Sequence, residues 1–176
     1  MSEVVKRVVI REMRESDLEH VLALEKKIFP SPWTRDFFIF EMEAEGSINL
    51  VLDLSGVVIG YICAGLYGKE LHITNMAVEP SLRRRGFASI LLLECIRKGI
   101  GKSARWLTLE VRENNLGARE FYKYFGFREI GMRIGYYEDT AENAILMATG
   151  DITSVEYMEL LKRIEEKVCR SGESKV

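Results

Sequence analysis

A helical segment between two strand-like segments lies near the middle of the chain, and it restricts the fold more than any other feature. Leu71 to Val78 and Trp106 to Val111 have the apolar and β-branched residues typical of strands. Between them, from Gly86 to about Ile100, the apolar residues follow the spacing of a helix. A strand, a helix and a second strand form a crossover, which connects parallel strands. The sequence therefore predicts parallel pairing in the sheet.

The first half of the chain predicts antiparallel pairing as well. Ile48 to Leu54 and Val57 to Leu66 have the pattern of two strands joined by a turn at Ser55 and Gly56. A hairpin and a crossover in one chain predict an α+β domain, with one twisted mixed sheet flanked by helices in three layers. The remaining predicted elements are the strand Val4 to Ile10, a helix from Asp17 to Ile28 with a capping box at Ser16 and Glu19, a helix capped by Thr34, a helix from Leu116 to Phe125, and a closing strand pair, Phe127 to Tyr137 and Ala144 to Thr149.

A final helix is predicted beyond Gly150. Its apolar residues recur at helical spacing along one side: Val155, Met158, Leu161, Ile164 and Val168. We expect this stripe to dock on its own domain rather than on a partner. With 176 residues the chain is too short for two ordinary domains, so we assign residues 1–150 to one domain and residues 151–176 to a C-terminal helical extension.

Charge and cysteine content exclude several classes of function. A net charge of −2 and a pI of about 5.9 give no overall basic field, so direct binding to nucleic acid or to an anionic membrane is not expected. Cys63, Cys95 and Cys169 are far apart and form no C-x-x-C pair, which argues against a disulfide framework or a zinc site. No stretch approaches the about 20 apolar residues of a membrane span. We therefore expect a soluble cytoplasmic protein; its oligomeric state is left open.

A basic turn joins the strand that ends at Val78 to the helix that begins near Gly86. A glycine lets the backbone approach a phosphate closely, and the first N–H groups of a helix point toward such an anion. Three neighbouring arginines, Arg83, Arg84 and Arg85, supply positive charge. The segment thus predicts an anion site, although on composition alone a solvated loop is an equal alternative.

Two further features favour the anion site. Arg83, Gly86 and Ala88 fit the pattern R-x-x-G-x-A, and Asn75 to Val78 supply a strand edge before it. In these residues the chain resembles the GNAT acetyltransferases. It is similar in particular to the RimI-type enzymes, through Pro32-Trp33, Leu109-Glu110-Val111-Arg112, Asn114-Asn115, Ala118, Phe121-Tyr122, Phe125-Gly126-Phe127, Gly135-Tyr136-Tyr137, and Glu142 to Ala148 with Asn143 in place of the usual acid.

The resemblance, which covers about Val8 to Ala148, implies acetyl-CoA as the cofactor. It implies that the pantetheine arm and the acetyl group lie along Met76, Ala77 and Val78. It also implies that Asn115 and Tyr122 lie near the thioester. The pyrophosphate is expected on the turn and the first helical residues, namely Arg83, Arg84, Arg85, Gly86, Phe87, Ala88 and Ser89.

Glu110 and Tyr122 are the candidate catalytic residues. Strand alternation puts Glu110 on the face opposite Leu109 and Val111, where it can accept a proton from an amine directly or through one water. The alternative is an exposed glutamate paired with an arginine. Tyr122 can protonate the coenzyme A thiolate, although an aromatic core position is its default interpretation. His20 and His72 match no metal spacing, so no metal is expected, and His72 is at most a minor proton acceptor.

The resemblance to RimI-type enzymes implies a protein N-terminus as the substrate, with a ribosomal protein that begins with alanine as the expected acceptor. Trp33, Tyr136 and Tyr137 are expected to form aromatic walls for an extended peptide end. No serine, histidine and acid arrangement suggests an acyl-enzyme, so we favour direct attack in a ternary complex. Two alternatives stay open: an acetyltransferase for a small amine, and a non-catalytic module that binds coenzyme A.

Overall fold

A computed structural model of the protein describes residues 8–173. Seven strands and five helices follow one another in the predicted order. They are β1 (Val8–Glu12), α1 (Leu18–Ile28), α2 (Arg35–Glu43), β2 (Ile48–Leu54), β3 (Val57–Tyr67), β4 (Glu70–Val78), α3 (Phe87–Gly101), β5 (Trp106–Arg112), α4 (Leu116–Tyr124), β6 (Arg128–Tyr137), β7 (Glu142–Ala148) and α5 (Val155–Glu173). Part of the first predicted strand, residues 4–7, lies outside the described residues.

The strands form one mixed sheet in the order β1-β2-β3-β4-β5-β7-β6. Neighbouring strands pair antiparallel except for β4 and β5, which pair in parallel across the α3 crossover. The predicted α+β class with a mixed sheet is therefore confirmed.

The core has two parts, one on each face of the sheet, because strand residues alternate between the faces. In β2, for example, Leu50 and Leu52 pack toward α3, α4 and α5, whereas Val51 packs toward α1 and α2. The result is three layers: helices α1 and α2, the sheet, and helices α3, α4 and α5. Within residues 8–173, no helix is long and apolar enough to cross a membrane.

The start of α1 differs from the predicted capping box. A short 3₁₀ turn, Glu15–Asp17, precedes the helix, and the Asp17 carboxylate accepts the backbone N–H of Arg14 at 2.7 Å. Arg11 also binds this carboxylate, at 2.7 Å, and the bond lowers the pKa of Asp17. The residue that closes the turn is thus Asp17 and not the predicted Ser16. Arg11 of β1 holds the Asp17 carboxylate in place. The predicted cap of α2 is confirmed, because Thr34 Oγ1 accepts the N–H of Phe37 at 3.3 Å.

Helix α5 docks on its own domain, as predicted. Tyr157, Leu161 and Ile164 are buried in the same core as α3 and α4, and Arg97 of α3 pairs with Glu165 at 2.6 Å. The assignment of Val155 and Met158 to the docked side is wrong, because they are 71% and 47% exposed. At 3.6 residues per turn, Val155 lies about 160° around the helix from Tyr157 and therefore faces away from the domain.

Candidate active site

The candidate site begins where β4 and β5 separate. Their parallel pairing ends at Ile73 and Leu109, although β4 continues to Val78 and β5 to Arg112. A bulge at Thr74 interrupts the pairing of β4 with β3, since Cys63 lies opposite Asn75 and Ala64 opposite Ile73. Because bulges bend a strand and increase its twist, this one turns β4 away from β5.

Beyond the bulge, β4 and β5 are no longer paired with each other, and each is paired on its other side only. β4 stays paired with β3 up to Val78, and β5 stays paired with β7 up to Arg112. The facing edges of Thr74–Val78 and Glu110–Arg112 leave backbone groups free for another partner. An extended arm that carries amides, such as pantetheine, can pair with such an edge.

Glu110 lies on β5 directly after the last paired residue. As predicted from strand alternation, Leu109 and Val111 enter the core on one face while Glu110 projects from the other. Its Oε2 lies 3.0 Å from His72 Nε2, and its Oε1 lies 3.4 Å from a guanidinium nitrogen of Arg133. The hydrogen bond from His72 is the main cause of a lowered pKa of Glu110, so the carboxylate is charged at neutral pH.

The histidine is itself held in place. His72 Nδ1 lies 2.7 Å from the Thr108 hydroxyl on the neighbouring strand, and that hydroxyl donates to Glu70 at 2.5 Å. Glu110 therefore lies at the end of a row of hydrogen-bonded side chains that crosses the β4–β5 pair and includes His72, Thr108 and Glu70. The sequence predicts at most a minor role for His72, because nothing in the sequence alone places it beside Glu110.

Tyr122 lies on the opposite side of β5 from Glu110. It is 8% exposed, and its ring contacts those of Phe121 and Phe127 at 5.3 and 5.5 Å. Among residues 8–173 its hydroxyl has no hydrogen-bond partner. Burial raises its pKa above that of an ordinary tyrosine, so the phenol keeps its proton. The two candidate catalytic residues thus flank the separated strands, one on each face.

The basic turn after β4 is shaped to accept an anion. Arg84 and Gly86 have positive φ angles of 64° and 85°, which turn the backbone sharply into α3. The first hydrogen bond of the helix runs from the Ile90 N–H to the Gly86 carbonyl at 3.1 Å. The earlier N–H groups, those of Phe87, Ala88 and Ser89, lack partners within the helix.

The three arginines of this turn are exposed. Arg83 donates to the Val78 carbonyl at 3.3 Å, which holds it beside the end of β4. Within the described part of the chain, no carboxylate lies within ion-pair distance of Arg83, Arg84 or Arg85. Positive charge without an acidic partner, free N–H groups and an open strand edge fit the pyrophosphate and pantetheine of coenzyme A.

Aromatic side chains border the other end of the site. Tyr136 and Tyr137 at the end of β6 contact each other at 5.2 Å, and the Arg112 guanidinium lies 3.9 Å from the Tyr137 ring. Trp33, in the loop between α1 and α2, packs against Phe38 at 5.2 Å.

A bridge brings this loop to the β6–β7 turn. The Ser31 hydroxyl donates to Asp139 at 3.0 Å, and Asp139 pairs with Arg112 at 2.7 Å. Trp33 and Tyr137 therefore lie on two segments that meet across the open end of the sheet. The sequence carried no signal for this bridge, because its members are distant in the chain.

Asn115 has a structural task that the sequence did not indicate. Its side chain accepts the N–H of Ala118 at 3.2 Å and so caps α4. The cap fixes the start of the helix that carries Tyr122.

Comparisons with known proteins agree with this geometry. Residues 18–127 match the model of the acetyltransferase (GNAT) family. A putative [ribosomal protein bS18]-alanine N-acetyltransferase of Bacillus subtilis is 35% identical over 80% of this chain and 94% of its own length. An N-alpha-acetyltransferase of Sulfolobus acidocaldarius is 34% identical over 76% of this chain and 86% of its own.

The fold is similar to the crystal structure of the ribosomal-protein-S18-alanine N-acetyltransferase from Escherichia coli. The TM-score is 0.76 and the identity 28%, over 85% of this chain and 97% of that one. The chain belongs to the GNAT acetyltransferase family. It is an N-acetyltransferase, and acetyl-CoA is its acetyl donor.

Proposed function

We propose that this enzyme acetylates the N-terminal α-amine of a protein, and that the protein is ribosomal and begins with alanine. The observation that carries the proposal is the position of Glu110, a charged carboxylate held by His72 where β4 and β5 separate. The names of the relatives from Bacillus subtilis and Escherichia coli support the substrate. A ribosomal substrate also implies a cytoplasmic enzyme, which fits the three free cysteines.

The choice of an α-amine follows from its acidity. An α-amine has a pKa of about 8 and a lysine side chain one of about 10.4, so far more of the α-amine is neutral at pH 7. A carboxylate with a lowered pKa, such as Glu110, is a weak base toward a free ammonium. We therefore expect Glu110 to take the proton as the nitrogen attacks, when that proton becomes much more acidic.

Proton transfer on the opposite face is assigned to Tyr122. Acetyl-CoA supplies the acetyl group as a thioester. When the amine nitrogen bonds to the carbonyl carbon and the carbon–sulfur bond breaks, the sulfur needs a proton. The buried phenol of Tyr122 still carries its proton at neutral pH, because burial raises its pKa, and it can donate that proton as negative charge develops on the sulfur. No covalent acyl-enzyme is needed in this scheme.

Residues for the cofactor are proposed from the geometry described above. Met76, Ala77 and Val78 offer the free edge of β4 to the pantetheine arm, with Asn115 close to its end. The pyrophosphate is assigned to the turn and the first residues of α3, that is Arg83, Arg84, Arg85, Gly86, Phe87, Ala88 and Ser89. The domain assigned to residues 1–150 would thus carry the site, and α5 of the C-terminal extension assigned to residues 151–176 would support α3 from outside.

The acceptor groove is assigned to the space between the α1–α2 loop and the end of β6. Trp33 on one side and Tyr136 and Tyr137 on the other give it aromatic walls. Such walls hold an extended backbone and leave little room for the first side chain, which favours a small residue such as alanine.

The test is a panel of acceptors with acetyl-CoA. It contains a peptide that begins with alanine, the same peptide with a blocked N-terminus and an internal lysine, and free spermine. We expect rapid acetylation of the first peptide, with the group on its α-amine by mass spectrometry. Faster reaction of the lysine peptide, or an equal rate with spermine, would overturn the proposal in favour of a small-amine or lysine acetyltransferase.

A further inference from the structure

A buried glutamate on α1 has no place in the chemistry described so far. Glu25 is 0% exposed, and no cation lies within ion-pair distance of it among the described residues. Three hydrogen-bond donors converge on its carboxylate instead. Oε1 accepts from the Tyr61 hydroxyl and from Asn75 Nδ2, the latter at 2.7 Å, and Oε2 accepts the backbone N–H of Trp33 at 2.8 Å.

The three donors come from three different parts of the site. Asn75 lies on β4 just after the bulge, in the segment that has left β5. Trp33 lies in the α1–α2 loop, and Tyr61 lies on β3 beneath Phe38, whose ring contacts both Tyr61 and Trp33. Glu25 therefore joins the separated part of β4 to the loop that carries one aromatic wall of the proposed acceptor groove.

The α1–α2 loop has few other anchors. Pro30 and Pro32 have no N–H group to donate. For residues 30–33, the hydrogen bonds to other parts of the described chain are those from Trp33 to Glu25 and from Ser31 to Asp139. The second of these is exposed to solvent, whereas the first is partly buried and ends on a fully buried side chain, where water competes less, which makes it the stronger anchor.

We propose that Glu25 is a positioning residue that sets the distance between the Trp33 wall and the cofactor-binding strand. The proposal rests on the acceptor groove assigned above. A carboxylate suits this position because it offers two acceptor oxygens and no donor to three donor groups. Burying a carboxylate costs free energy, so a buried carboxylate is found where the surrounding donors bind its oxygens. Glu25 would thus act on the acceptor through Trp33, without touching the reacting atoms.

The neighbouring helix provides a matched control. Glu41 of α2 is also buried and also binds β4, where it accepts the Thr74 hydroxyl at 3.2 Å. It makes no hydrogen bond to the α1–α2 loop. Glu25→Leu and Glu41→Leu therefore each remove a buried carboxylate next to β4, but only the first releases Trp33.

The kinetic test uses the full-length enzyme, acetyl-CoA and the alanine peptide. For Glu25→Leu we expect the KM of the peptide to rise about tenfold, because the hydrogen bond that holds the wall to a buried side chain is lost. We expect kcat and the Kd of acetyl-CoA to stay close to wild-type values, since β4 remains in its ladder with β3. Glu41→Leu should leave the peptide KM unchanged.

Tryptophan fluorescence reports the loop itself. The chain has two tryptophans, and Trp106 lies at the far end of β5. In a Trp106→Phe background, Glu25→Leu should shift the Trp33 emission to the red and increase its quenching by acrylamide, whereas Glu41→Leu should change neither. If Glu25→Leu does not fold, Glu25→Gln replaces it, because one carboxamide oxygen cannot serve donors on both sides. Its effects should have the same direction and be smaller.

An unchanged peptide KM in a folded Glu25 variant would overturn the inference. Equal effects of Glu25→Leu and Glu41→Leu would overturn it too, since they would indicate a general loss of stability. Absence of α-amine acetylation by the wild-type enzyme is a separate result. It would remove the proposed function, and with it the acceptor role of the wall.

Discussion

Replacement of Glu110 by glutamine tests the role of the carboxylate with little change of shape. The side chain keeps its size beside His72 and Arg133, but it can no longer take a proton. Loss of a general base costs about 10²- to 10⁴-fold in rate. The lower end applies here, because the proton on the attacking nitrogen becomes acidic enough during the reaction for water to accept it in part. We expect kcat/KM for the alanine peptide to fall by about 100-fold at pH 7.

The deficit should depend on pH. Between pH 7 and pH 9 the neutral fraction of the amine rises about tenfold, which raises the rates of both enzymes. The deficit of Glu110→Gln should also shrink, because hydroxide can then take the proton from the attacking nitrogen in place of the missing carboxylate. The assay is the initial rate of thiol release at several pH values with saturating acetyl-CoA. A deficit that is independent of pH would refute the general-base argument and leave Glu110 with a positioning role. An unchanged rate at pH 7 would remove Glu110 from the mechanism.

Three other substitutions test the remaining parts of the site. Tyr122→Phe should lower kcat by about 10²-fold or less, with an almost unchanged melting temperature because the hydroxyl has no hydrogen bond within the described residues; an unchanged kcat would exclude the proton donor. Gly86→Glu should abolish acetyl-CoA binding in calorimetry, whereas Gly101→Glu at the other end of α3, where there is open space, should bind normally. Since Gly86 has a φ of 85°, this variant should also melt earlier, and normal binding by it would refute the anion site. Asn143→Asp should destabilise the fold by about 1–2 kcal/mol at pH 7, because Asn143 donates to Glu113 at 2.8 Å and a carboxylate cannot. The loss should shrink as the pH falls, because one proton shared between the two acids restores a hydrogen bond, and equal melting temperatures of variant and wild type at pH 7 would contradict this.

Much of the fold could be predicted from local pattern. The hairpin of β2 and β3 and the crossover through α3 are set by turn residues and by hydrophobic period, both of which act over short stretches of chain. The docked face of α5 was only partly predicted. Val155 and Tyr157 lie two positions apart at the start of the helix, and both side chains can be buried in a core. The packing surface of the domain decides which of them is buried.

The site was predictable only where its residues form a continuous motif. The turn from Val78 to Ala88 has its glycine, arginines and helix start in one segment. The residues that contact Glu110 do not lie in one segment, because His72 is on β4 and Arg133 is on β6. The sequence does contain one sign of Glu25: it follows Leu18 and Val21 at helical spacing, so an acid lies on the apolar side of α1. Which donors it meets there depends on the whole fold.

The most direct test of the substrate assignment uses a natural acceptor. The enzyme is incubated with acetyl-CoA and with the ribosomal protein S18 of the same source, produced with a free N-terminal alanine, and the product is mapped by tandem mass spectrometry. We predict one acetyl group, on the α-amine of that alanine, and its loss when Glu110 is replaced by glutamine at neutral pH. Acetyl groups on lysine side chains with an unmodified α-amine, or no modification by an enzyme that binds acetyl-CoA, would contradict the assignment.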